Sequence, residues 1–228
     1  MKKFQQEAKD SVGKAAADLV REGTVIGLGS GSTAERFIYH LVQRCLNGLS
    51  IKAVSSSIRS MELAKQGGIP VLEIDQVSHI DMTVDGADEI DPAKRLIKGG
   101  GGALLREKIV ASNSSEMVVI IDSSKKVDRL GTTMPLPVEV LPFGHLLTQE
   151  RMKEEGMQPE LRMIGDRPYA TDNHNYIYDL HFEHGINNPE EVDRQLKRIP
   201  GVIETGLFFN LAKRVLIGNE DDSVEILK

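Results

Sequence analysis

Four stretches of this 228-residue chain concentrate side chains capable of chemistry: "GSGST" (29–33), "DGADEID" (85–91), "KGGGGALLREK" (98–108) and "DSSKK" (122–126). In the first and just before it, Gly27, Gly29 and Gly31 let the backbone turn sharply. Ser32 and Thr33 then offer hydroxyls beside the free N–H groups of a following helix, a combination that attracts an anion such as phosphate. It is no Walker loop, because no Gly-Lys-Ser/Thr follows. Gly29 to Ala34 does satisfy the loose dinucleotide pattern G-x-G-x-x-A, and a tight turn without ligand is the plain alternative. NAD calls for an acidic residue at the end of the second strand. That place holds Ser55 to Ser57 and Arg59, which disfavours NAD and would tolerate NADP.

The second stretch packs Asp85, Asp88, Glu89 and Asp91 around Gly86 and Ala87. It reads as a metal cage, a solvated acidic turn, or carboxylates facing sugar hydroxyls, and it lacks the EF-hand order. Asp85 directly follows an apolar strand, which puts its carboxylate at a sheet edge.

In the third stretch the run Gly99, Gly100, Gly101, Gly102 is too costly in backbone entropy for a mere connector. It suits close approach to a ligand, with successive N–H groups available to an oxyanion. Glu107, on the helix behind it, has the helical neighbours Ala103, Leu104, Val110 and Ala111. A carboxylate among apolar groups is partly desolvated, which makes it a better base. An ion pair with Arg106 or Lys108 competes with that reading, and the adjoining glycines favour catalysis. Lys125 and Lys126 could neutralise a phosphate or simply solvate a surface.

Positioning these groups requires a particular scaffold. Phe4, Ala8, Val12, Ala15 and Leu19 recur at helical spacing, and "TVIGL" then reads as a strand entering the first turn. Strand and helix alternate from there. "IKAV", "IPVLEI", "DMTV", "RLI" and "MVVII" read as strands; "SIRSMELAKQGG" and "ALLREKIVAS" read as helices. Such alternation predicts an α/β fold with a Rossmann-like parallel sheet covered on both faces. Each polar cluster follows a strand, so all of them are expected along one edge of that sheet, where such folds bind ligands. After residue 130 the rhythm becomes βαββαβ, the ferredoxin-like plan, with the proline-bearing "PLPVEVLP" suited to an edge or a domain entry rather than a central strand. The expected division is a catalytic domain of residues 1–130 and 210–228 with a smaller α+β domain, 131–209, inserted.

Composition narrows the function. A net charge of −6 without a basic stripe argues against nucleic-acid binding. The longest apolar run, "MVVII", is far below the ~20 residues of a membrane span. No secretory signal is readable at the start. The single cysteine, Cys45, excludes an intramolecular disulfide and fits a reducing cytoplasm. The six histidines show no metal-ligand spacing.

"GLGSGSTAE", "VSSS", "VDGADEID", "KGGGGALLREKI", "DSSKKVDRLG" and "PLPVEVLP" together closely resemble the type A ribose-5-phosphate isomerases, over nearly the whole chain to "IPGVIETGLF". Ser30 stands where members often carry Thr. The resemblance implies interconversion of ribose 5-phosphate and ribulose 5-phosphate through an enediolate, with no cofactor and no metal. Glu107 would move the proton between carbons 2 and 1. Asp85 and Lys98 would flank the two oxygens, and Asp88 would assist ring opening. Backbone donors of Gly99, Gly100 and Gly101 would stabilise the enediolate, and Gly86 and Ala87 would contact the sugar. Ser30, Gly31, Ser32, Thr33, Lys125 and Lys9 would hold its phosphate. The resemblance further implies a cytoplasmic homodimer or dimer of dimers, with neither a nucleic-acid nor a membrane partner.

Overall fold

The parallel order expected from the alternating pattern is present in a six-stranded sheet. The computed structural model describes residues 3–219 and 221–227, with side chains from residue 5, so the Phe4 side chain lies outside the described residues. The elements of the first unit are α1 (Lys3–Asp18), β1 (Val25–Leu28), α2 (Gly31–Leu46), β2 (Lys52–Ser55), α3 (Ile58–Gln66) and β3 (Met82–Asp85). Beyond β4 (Glu89–Ile90) and β5 (Leu96–Ile97), described below, come α4 (Leu104–Ser112) and β6 (Met117–Asp122). The sheet order is β15-β14-β6-β3-β1-β2, where β14 (Ala212–Gly218) and β15 (Val224–Leu227) come from the tail. All neighbours are parallel except β14 and β15.

Every residue of β6 is buried, as a strand covered on both faces requires. Successive side chains alternate between faces. Val118 and Ile120 join Ile26, Leu28, Val12 and Ala16 of α1, and Phe37 and Leu41 of α2, in one cluster. Val110 of α4 packs with Val54 and Ile80 in another. "IPVLEI" is not a strand: it makes one parallel bridge, Val71 to Ala53, then a 3-10 turn at Ile74–Gln76. Pro70 brings no N–H to extend the ladder on one side of the bridge, and the 3-10 turn follows on the other.

The second unit contains β7 (Leu136–Val140), α5 (His145–Glu154), β8 (Pro159–Leu161), β9 (Met163–Ile164), β10 (Arg167–Pro168), β11 (Tyr176–Leu180), α6 (Pro189–Leu196) and β12 (Val202–Thr205). Its main sheet runs β12-β7-β11-β8, antiparallel throughout, the strand order of the βαββαβ plan. Contrary to expectation, the proline-bearing β7 is central. Pro137 O accepts from Gly206 N at 2.7 Å, so the missing N–H of Pro137 faces the side where β12 has already ended at Thr205. Proline there removes no ladder bond.

The one-edge expectation fails for the glycine run. β4 and β5 pair with β13 (Leu207–Phe208) in a separate antiparallel sheet. Residues 88–105 accordingly group with 126–209, while 1–87, 106–125 and 210–228 form the first unit. The division expected at residue 130 gave 88–105 and 126–130 to the first unit instead. The two-residue strands β4 and β5 are too short for periodicity to reveal their partner.

Candidate active site

In the first unit the β1–α2 turn is built around Asp85, the last residue of β3. A Cβ at Gly29 would lie 2.2 Å from Asp85 Oδ1, so only glycine lets the two strand ends close up. Asp85 is fully buried, and its Oδ1 accepts from Ser30 N at 3.0 Å and Gly86 N at 2.7 Å. Ser30 is the N-cap of α2 in an extended conformation, but its hydroxyl does not cap the helix. It donates to Glu107 Oε1 instead. Glu107 is buried on the first turn of α4. One serine thus ties both carboxylates together.

Gly31 opens α2 with a φ of 84°, a conformation suited to glycine. Ser32 and Gly31 are exposed and Thr33 is half-buried, at a helix end whose first N–H groups have no partners within the helix. Buried Lys9 of α1 donates to Ser32 Oγ at 3.0 Å, which sets an ammonium beside that end. The serines after β2 are structural: Ser60 Oγ donates to Gly29 O at 2.6 Å and Ser56 Oγ to Leu28 O at 3.0 Å. Lys125 is half-exposed in the 3-10 turn after β6, a strand two places from β1 in the sheet order. It bonds to none of these side chains.

In the second unit Asp88 faces the glycine run. Its N–H donates to Ile97 O at 2.8 Å, and its Oδ2 accepts from Gly100 N at 2.7 Å. Lys98 is buried, its N–H donates to Gly206 O at 2.9 Å, and its Nζ lies 5.6 Å from the Phe208 ring centre. Gly99 and Gly102 have φ of 104° and 81°, and Gly102 N donates to Gly99 O at 2.9 Å, closing a turn.

Three residues that sequence reasoning missed hold this turn. Arg162 Nη1 donates to Gly99 O at 2.9 Å and Gly100 O at 3.1 Å, and the Tyr169 hydroxyl donates to Gly101 O at 3.0 Å. Asp179 grips the Arg162 guanidinium through two oxygens. Arg162 and Tyr169 lie 62 to 68 residues from the glycines they hold, just outside the short strands β8, β9 and β10, and Asp179 lies in β11; none belongs to a local motif, so no sequence signal marked them. Among the described residues no group of three His, Cys, Asp or Glu side chains is arranged to hold a metal.

Each unit thus holds groups suited to proton transfer: the first a buried carboxylate held by a hydroxyl, the second a buried lysine beside a glycine turn. Residues 52–222 match the model of the family described as ribose 5-phosphate isomerase A (phosphoriboisomerase A). This chain belongs to that family. The isomerase A of Bacillus cereus is 49% identical over 96% of this chain and 100% of its own length. That of Thermosynechococcus vestitus is 46% identical over 93% and 92%. The solved isomerase of Plasmodium falciparum superposes with a TM-score of 0.94, 35% identity and 98% coverage of each chain. Another solved D-ribose-5-phosphate isomerase, in complex with phospho-erythronic acid, gives 0.93 at 39% identity, covering 97% of this chain and 98% of its own. Membership makes the chain an isomerase.

Proposed function

We propose that the chain interconverts ribose 5-phosphate and ribulose 5-phosphate by proton transfer through an enediolate, with Glu107 as the proton carrier. Glu107 takes the proton from carbon 2 of the open-chain aldose and returns it to carbon 1. The charge left on the adjacent oxygens needs donors, and Lys98 and the Gly99–Gly101 backbone supply them. Asp85 orients the neighbouring hydroxyl and Asp88 assists ring opening, with Gly86 and Ala87 lining the sugar. The phosphate sits on Ser30, Gly31, Ser32 and Thr33 at the start of α2, beside the Lys9 ammonium, with Lys125 as a further cation.

The observation that carries this reading is the Ser30 bridge. The residue that opens an anion-type turn binds buried Glu107 through its hydroxyl and buried Asp85 through its amide. A related isomerase that holds phospho-erythronic acid, a phosphorylated sugar acid, supports the choice of ligand. We further propose a cytoplasmic homodimer or dimer of dimers. The single Cys45 supports the first part, and the exposed Phe143, Leu146 and Leu147 support the second. Sedimentation at micromolar concentration tests the assembly.

Glu107→Gln keeps the shape and removes the base. In an assay of ribulose 5-phosphate formation with chelator present, turnover is expected to vanish while sugar-phosphate binding by calorimetry persists. Activity within tenfold of the parent would overturn the assignment.

A further inference from the structure

A trans peptide unit points its N–H opposite to the preceding C=O, so fixing a carbonyl aims the next amide. Three consecutive carbonyls of the glycine run are fixed from one side. Arg162 holds Gly99 O and Gly100 O, and Tyr169 holds Gly101 O. The amides they aim are those of Gly100, Gly101 and Gly102. Gly100 N donates to Asp88 and Gly102 N to Gly99 O. The N–H of exposed Gly101 donates to no group among the described residues, and its direction is set by the Arg162 bond to Gly100 O.

The clamp is rigid in its own right. The Arg162 guanidinium is held through two bonds to Asp179 and stands 5.7 Å from the Tyr169 ring centre. The backbone adds to this: Tyr169 N donates to Arg162 O at 2.8 Å. A Cβ on Gly102 would lie 2.1 Å from the Tyr169 hydroxyl oxygen, so the phenol rests directly on the glycine turn. Burial pushes the Tyr169 phenol above its ordinary value, which keeps it a donor. Four adjacent glycines without such a clamp would sample many backbone states, and an oxyanion donor works only when its direction is set beforehand.

We propose that Arg162 and Tyr169, braced by Asp179, are positioning residues that aim the Gly101 N–H at the oxyanion formed during isomerisation. The inference rests on the function proposed above. Positioning of this kind acts on the transition state, so losing it lowers kcat with little change in KM.

The test compares Tyr169→Phe, Arg162→Lys and Glu107→Gln with the parent enzyme, using ribose 5-phosphate as substrate. Tyr169→Phe deletes one hydroxyl and keeps the ring; a kcat loss of about tenfold with KM within twofold is expected. Arg162→Lys keeps the charge but cannot grip Asp179 and two carbonyls together, and a larger kcat loss is expected. Thermal unfolding of each variant separates misfolding from positioning, and Tyr169→Phe serves alone if the Arg162 variant does not fold. An unchanged kcat in Tyr169→Phe, or kcat and KM moving together with the melting temperature, overturns the clamp. An active Glu107→Gln overturns the underlying mechanism instead, so the two failures are distinguishable.

Discussion

Gly29→Ala is the most direct probe of how Asp85 is held. The added Cβ would lie 2.2 Å from Asp85 Oδ1, 2.3 Å from its Cγ and 2.6 Å from its Cα. Ordinary carbon contacts sit at about 3.5–4.0 Å, so the two residues must separate by roughly 1 Å. The last of those atoms is backbone, and Gly29 N is itself bonded to Val84 O at 2.9 Å, so no side-chain rotation relieves the clash. Overpacking costs about 1–3 kcal/mol. Moving Asp85 also breaks at least one of its two N–H bonds, each worth about 1.5–3 kcal/mol when the acceptor is charged. The total is about 4 kcal/mol, which lowers the melting temperature by on the order of 10 °C for a chain of this size. With Asp85 displaced and the Ser30 amide released, kcat/KM falls by about 100-fold, near 2.7 kcal/mol of lost transition-state stabilisation.

Circular dichroism melting and the coupled isomerase assay read the two effects separately. Gly23→Ala is the control. Its φ is 76° and nothing lies within 4 Å of an added Cβ, so it bears only backbone strain of about 1–2 kcal/mol and leaves kcat unchanged. If Gly29→Ala melts no lower than Gly23→Ala and keeps activity within tenfold, Asp85 is not locked by this contact and the reasoning fails.

Other perturbations test separate parts. Ser30→Ala removes the donor to Glu107, and the loss of a bond to a charged group predicts a kcat 10- to 100-fold lower in the same assay, on the order of 1.5–3 kcal/mol. Ser30→Thr keeps the hydroxyl and is expected within about threefold of the parent. Glu89 is buried and accepts from Gly131 N, Thr133 N, Thr133 Oγ1 and Met134 N, so Glu89→Gln turns an amide against N–H donors. Urea unfolding should show about 1–3 kcal/mol less stability, with turnover per folded molecule unchanged.

What could be read in advance follows from the range of the interactions. β1, β3 and β6 were legible as short apolar runs and α2 by its helical spacing, and the "GSGST" turn because strand, glycines and helix are contiguous. β5 was legible as a strand but not by partner, since its pairing with β13 joins Leu96–Ile97 to Leu207–Phe208. The place of β7 was misjudged for a related reason. Whether Pro137 removes a ladder bond depends on where β12 stops, a fact held at Thr205 and Gly206 rather than near the proline. The glycine run stood out by composition, while its clamp at Arg162, Tyr169 and Asp179 consists of ordinary residues that acquire a role only through distant contact.

The buried carboxylates show why composition could nominate Glu107 but not explain it. Glu89 accepts from three backbone amides and a hydroxyl, and Asp85 Oδ1 from two amides. An amide can only donate, so each such bond occupies an acceptor site on the carboxylate. Glu107 Oε1 is met by the Ser30 hydroxyl. A hydroxyl both donates and accepts, so it can give a hydrogen bond to the carboxylate and, after rotating, receive one from the protonated acid. A group that must take a proton from one carbon and return it to the next spends part of each cycle in both states. The Ser30 hydroxyl is a partner able to serve both, and that makes Ser30 a second determinant of the proposed proton transfer.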